Sequence, residues 1–146
     1  MILNIEHLMN VIRREVYRVM QTYSHSKIAE VTSWDPDNHM AKVKFKPRDN
    51  ESGWLPVQAH HVGGGFGILV GLTAGDIVKV EPHNGDPNAM QITARYHHDK
   101  AKPPRVESGQ MLLKHQSGST IFFDNDGSVH IKSKGNVFIN GSGSTP

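Results

Sequence analysis

The last quarter of the chain repeats itself in eights, and that period restricts its possible folds more than any other feature. Residues 121–128, 129–136 and 137–144 each carry apolar side chains at their first and third positions and glycine at the seventh. The apolar pairs are Ile121/Phe123, Val129/Ile131 and Val137/Ile139, and the glycines are Gly127, Gly135 and Gly143. A weaker unit, 113–120, precedes them, with Leu113 at its first position and Ser119 in the glycine place. A fixed period implies stacked units. Alternation at spacing two implies strands with one buried face, and glycine at a fixed place implies a bend that other residues tolerate badly. Two apolar residues per unit are too few to close a core within one chain. A lone strand also leaves its backbone N–H and C=O groups without partners. The pattern therefore predicts several copies wound together, with Leu113, Ile121, Phe123, Val129, Ile131, Val137 and Ile139 on a shared axis and Gly127, Gly135 and Gly143 at the bends. A small antiparallel sheet packed on the preceding domain would satisfy the same alternation, because Asp126-Gly127 is a hairpin signal. The common register of the units favours the wound copies.

The rest of the chain bounds what such a tail can serve. Of 146 residues, 16 are basic and 14 acidic, for a net charge of +2, so the positive excess of a nucleic-acid binder is missing. There is no cysteine, which excludes disulfides and thiolate metal sites. No apolar run reaches the length of about 18 residues that a spanning helix requires. Glu6, His7, Arg13, Arg14 and Glu15 interrupt the N-terminal apolar pattern, unlike a signal peptide. Synthesis and assembly in a cytoplasm are expected.

In chain order the sequence reads as mainly β. Residues 1–24 hold an amphipathic helix over 4–21: Ile5, Leu8, Met9, Ile12, Val16, Val19 and Met20 recur at spacings of three and four, and Asn4 is a candidate N-cap. A packing helix that docks on a neighbour is the expected role. Residues 25–98 read as an OB-like barrel of about five strands. Strands are expected over 28–34, 40–45, from Trp54, over 68–70, 77–80 and 90–96, with Ala41, Val43 and Phe45 alternating against Lys42, Lys44 and Lys46. Residues 99–110, with Pro103-Pro104 and several charges, read as a stiff linker. Residues 111–146 are the repeat tail.

Catalytic and metal chemistry find no constellation here. Gly63 to Gly67 lacks the Lys-Ser/Thr and the following helix of a phosphate loop, and reads as a loop or bulge. His60-His61 and His97-His98 are adjacent pairs, which point to opposite faces of a strand and share a metal poorly. Asp35, Asp37, Asp76, Asp124 and Asp126 all stand in turn contexts, where aspartate serves the backbone. No enzyme, metal or cofactor is expected. An OB-like barrel admits an oligonucleotide- or oligosaccharide-binding module as the alternative, although Trp34, Phe45, Trp54 and Tyr96 are scattered and only Lys42, Lys44 and Lys46 line one strand face.

Ser52-Gly53-Trp54-Leu55-Pro56-Val57, then Gly75-Asp76-Ile77-Val78-Lys79-Val80, then Asn84-Gly85-Asp86-Pro87, followed by the octads, resemble the baseplate assembly protein V family. These are central tail spikes of contractile-tailed phages, similar in barrel and needle to the spikes of type VI secretion. The resemblance covers about residues 25–144, with Trp54, Leu55, Pro56, Gly75 and Asp76 as its barrel motif. It implies a virion protein: a homotrimer below the tail tube, attached to baseplate hub and tube proteins, with no nucleic acid bound. Its intertwined triple-stranded β-helix would pierce the host outer membrane on sheath contraction, in a phage or a phage-derived injector. The N-terminal helix is then placed to join the trimer or to hold it to the hub. Many members end in a His-x-His metal site on the axis. Here His130 is followed by Ile131 and Lys132, so the resemblance implies either a blunt needle or a separate tip protein over its open end. Phe122 and Phe138 take the outward strand positions, either between chains or toward the tube-exit channel.

Overall fold

The structure, a computed structural model, describes residues 4–139. The fold is mainly β with one N-terminal helix and several antiparallel sheets. It divides into two units, Met1–Lys102 and Pro103–Pro146, with the division inside the expected 99–110 linker.

In the first unit, α1 runs over Ile5–Thr22, within a residue of the expected helix at either end. Asn4 caps it, its side-chain oxygen accepting a hydrogen bond from the Glu6 N–H at 3.0 Å. The main sheet contains β1 (Lys27–Asp35), β2 (Met40–Phe45), β3 (Asn50–Glu51) and β4 (Leu55–Pro56). A separate two-stranded ribbon, β5 (Val62–Gly63) with β6 (Phe66–Gly67), follows. The main sheet then resumes with β7 (Ile77–Pro82) and β8 (Met90–Tyr96). Its order is β3–β2–β1–β7–β8, with β4 also on the outer edge of β2.

Alternation explains the core. Ala29 and Val31 of β1, Ala41 and Val43 of β2, Val78 and Val80 of β7, and Ile92 of β8 point to one side and are buried with Leu72. Trp34, Phe45, Leu55, Val57 and Met90 pack around them. The β2 edge is broken between β3 and β4 because Ser52 takes over the ladder: its N–H donates to the Val43 carbonyl at 2.8 Å and its Oγ accepts from the Val43 N–H at 3.0 Å. Register shifts at Val31/Ser33 in the β1–β2 ladder and at Lys79/Val80 in the β7–β8 ladder are the kind of irregularity that bends a sheet.

Two expectations for this region are corrected. The sheet is not a closed barrel. The segment directly after β4 is linked to β8 by a parallel Val57–Ile92 bridge and by the Gln58 N–H donating to the Ile92 carbonyl at 2.9 Å, which is no full ladder. Ile68, Leu69 and Val70 form no strand and are 61–63 % exposed. A continuous apolar run has no outward face to tell strand from loop; here the Ile68 N–H donates to the His61 carbonyl at 2.9 Å, just past the β5–β6 ribbon, and the run does not continue as a strand. The glycine cluster reverses the chain at the tip of β5–β6, between Val62 and Phe66.

Gly75 and Asp76 anchor the turn into β7. The Gly75 N–H donates to the Val31 carbonyl at 2.9 Å and the Val31 N–H donates to the Asp76 carbonyl at 2.8 Å, which extends β1 pairing past the end of β7. The Asp76 carboxylate accepts from the Thr73 N–H and from Arg95 Nη2, the latter at 2.7 Å. Gly75 holds φ at +95° with open space where a side chain would start. Gly75→Ala is therefore expected to destabilise this unit by about 1–2 kcal/mol through backbone strain alone, read as a lower urea midpoint with an unchanged slope.

Candidate functional site

The tail region builds a second sheet with one conspicuous face. β9 (Met111–Lys114), β10 (Thr120–Phe123) and β11 (Val129–Lys132) form an antiparallel meander in the order β11–β10–β9. Leu113 stands opposite Ile121, and Ile121 opposite Ile131; Met111 stands opposite Phe123, and Phe123 opposite Val129. Directly opposed residues share a face, and so do residues two apart. Two rows of three apolar side chains thus lie side by side, and they remain 37–66 % exposed. The reverse face carries Leu112, Phe122 and His130 in one row and Lys114, Thr120 and Lys132 in the other. Phe122, one of the two outward phenylalanines, lies with its ring centroid 6.1 Å from that of His130.

These strands find their backbone partners within the chain, which corrects the expectation that a lone strand must pair with another copy. The reason is the turn chemistry. The Gly118 N–H donates to the His115 carbonyl and the His115 N–H to the Ser119 carbonyl, both at 2.9 Å. The Gly127 N–H donates to the Asp124 carbonyl at 3.1 Å and the Asp124 N–H to the Ser128 carbonyl at 2.9 Å. Both loops place glycine in the left-handed region, Gly118 at φ +93° and Gly127 at φ +87°, as short hairpins with an extra residue do. The bend of the weaker unit is thus Gly118 rather than Ser119. A four-residue strand and a five-residue loop repeat over nine residues between these two turns, not eight.

The remaining repeat positions behave differently. Gly135 lies in a bend outside the left-handed region, and Val137 and Ile139 are exposed and belong to no strand. Gly143 lies outside the described residues. The structure thus brings Leu113, Ile121, Phe123, Val129 and Ile131 onto one face, adds Met111, and leaves Val137 and Ile139 off it. Met111 was legible as the residue two before Leu113, since strand alternation extends backward as well as forward.

The two bend types make a discriminating prediction. Gly127→Ala meets no steric neighbour but must hold a left-handed φ, so it is expected to destabilise the tail sheet by about 1–2 kcal/mol. Gly135→Ala should change the same thermal midpoint little, because no such angle is imposed there.

The loops are also tied electrostatically. Gln110 Nε2 donates to Asp124 Oδ1 at 2.9 Å, and Asn125 Nδ2 donates to the Ser108 carbonyl at 3.0 Å, fixing the entry into β9 against the β10–β11 loop. The Ser128 N–H, donating to Asp126 Oδ1 at 2.8 Å, holds the Asp126 carboxyl below its ordinary value of 3.8. A carboxyl lowered on folding contributes stability above its unfolded pKa, and that contribution fades as pH falls through the lowered folded value. Asp126→Asn is expected to flatten the loss of tail-sheet stability below about pH 4, measured by thermal melts along an acid series.

The barrel-motif residues lie elsewhere and serve the main sheet. Leu55 and Pro56 pair with Ala41 and Met40 on the β2 edge, and the half-exposed Trp54 ring lies 5.1 Å from Lys42 Nζ. Gly75 and Asp76 dock on β1 as described. Among the described residues no group of three or more His, Asp or Glu side chains is placed to hold a metal. No helix among them is long and apolar enough to cross a membrane. No protein-family model matches the sequence, and no curated protein matches it.

Proposed function

We propose that this protein is the trimeric central spike of a contractile phage tail baseplate or of a related injector. In this reading it is attached to the hub and tube and is driven through the host outer membrane when the sheath contracts. The observation that carries the reading is the uncovered face of Met111, Leu113, Ile121, Phe123, Val129 and Ile131. Three strands about 4.8 Å apart make a narrow ribbon. Three such ribbons, turned face inward about a threefold axis, enclose a dry shaft and leave the Lys114/Lys132 side to solvent. The triple-stranded needle is thus proposed in a modified form, as three meanders closing on one axis. The first unit is proposed as an OB-like barrel opened along β8, with the Val57–Ile92 bridge marking where it nearly closes. The role is mechanical. Axial force is borne by hairpin ladders whose apolar sides lock against each other, and a separate tip protein over the distal end is part of the proposal. Immunogold labelling of contractile particles from producing cells should place this protein at the distal end of the tube axis. Abundant free protein with no label on any particle would contradict the assignment.

Two contacts favour the oligonucleotide-binding form of the alternative: Lys42 Nζ over the Trp54 ring and Lys27 Nζ 5.5 Å from the Phe45 ring place cations beside aromatic surfaces. Lys44, two residues after Lys42 in β2, is engaged with Glu30 at 3.2 Å. The spike reading expects labelled single-stranded DNA to show no salt-sensitive binding between about 50 and 200 mM salt, whereas a genuine binder would weaken steeply across that range. Fluorescence anisotropy checks this.

A further inference from the structure

We propose that α1 forms a parallel three-stranded coiled coil with two further copies of this chain. The helix has no buried residue, although its apolar residues are ordered along one stripe. Ile5, Met9, Ile12, Val16 and Val19 follow one another in steps of four, three, four and three, and all are 44–75 % exposed. That alternation averages a 3.5-residue repeat, the period of a coiled-coil seam rather than of a helix lying on a sheet. An 18-residue helix with no covered face is marginal in water, so the stripe requires an occupant. The next residue in the series, Tyr23, is engaged: its ring occupies the space where Gly85 would carry a side chain, so the seam ends at Val19.

The residues on the seam select the occupant. Ile5, Ile12 and Val19 take the d positions, with Met9 and Val16 at a. Two-stranded coils favour leucine at d, and isoleucine there shifts the preference to three or more strands. His7, Arg14 and Gln21 then fall at f, opposite the seam, all polar. Charge selects the direction. In a fully overlapped antiparallel pair, Arg13 would meet the Arg13 of the other copy, and Glu15 its Glu15, near the middle of the helix. In the parallel register Arg13 lies beside Leu8 of the neighbour and Glu15 beside its Met20, so the aliphatic stems cover apolar side chains while the charges reach water. The stripe therefore complements itself, in parallel and in register. The inference rests on α1 for self-association and on the trimeric reading of the tail for the number of copies.

The chain has no cysteine, so a single introduced thiol reports on this seam alone. Val16→Cys, on the seam, and Arg14→Cys, outside it, are made in the full chain and mildly oxidised, and the mass of the unoxidised protein is measured in parallel. The expected result is a trimeric mass with a several-fold greater yield of disulfide-linked pairs from V16C than from R14C. A trimeric mass with no excess from V16C overturns the coiled coil and leaves the spike reading standing. A dimeric mass with efficient V16C pairing overturns the three-stranded form, and a monomeric mass without pairing overturns both readings.

Discussion

Ile131→Asp is expected to release single, folded chains from an assembled protein. In one chain Ile131 is 66 % exposed at the free edge strand β11, so a carboxylate there faces water and disturbs little. Exposed substitutions of this kind usually change stability by less than about 0.5 kcal/mol. In the proposed trimer the same position is axial, and three carboxylates would be gathered at one level of an apolar shaft. A buried, unpaired charge is one of the most destabilising changes a protein can suffer, and three like charges compound it. The variant should therefore keep its β signal in circular dichroism while its mass at micromolar concentration falls toward that of one chain, because the α1 seam of about two heptads is too short to hold three copies by itself. Lys132→Asp, one residue on and on the other face, should leave the assembly intact. If Ile131→Asp assembles as well as the parent, the face does not meet an axis.

The second large effect is expected at Val43. It is fully buried at the centre of β2, and its backbone holds both Ser52 hydrogen bonds. Val43→Ala removes two buried carbon groups at about 0.8 kcal/mol each and leaves a cavity besides, for a total of about 2–3 kcal/mol. For a unit of this size that corresponds to a fall of roughly 10–20 °C in its melting midpoint. Because the substitution lies in the first unit, that unit is expected to melt earlier while the tail sheet keeps its own transition. Calorimetry of the full chain checks this, and a single transition that moves as a whole would show that the two units unfold together.

How far the sequence could be read depended on how each segment is buried. β1, β2, β7 and β8 were legible because each alternates between the core and an outer side, as Ala41 and Val43 do against Lys42 and Lys44. α1 was legible from its periodicity and from Asn4. Ile68 to Val70 misled because apolar character alone does not say whether a backbone will find a ladder. β3 and β4 were blurred because a serine side chain, not a regular strand, pairs with the middle of that edge. In the tail, the apolar positions were legible through Ile131, but the pairing was not. Reading glycine at every eighth place set the first turn one residue late, at Ser119 instead of Gly118, and concealed that two successive glycines close hairpins within the chain. Each tail strand thus finds a backbone partner within one chain, and in the proposed assembly the uncovered apolar face, rather than a lone strand, is what further copies would cover.

Sedimentation equilibrium of the unmodified protein at micromolar concentration tests that requirement most directly. A single species of three times the 16.2 kDa chain mass is predicted. A species of one chain mass, with Met111, Leu113, Ile121, Phe123, Val129 and Ile131 still in water, would contradict the account.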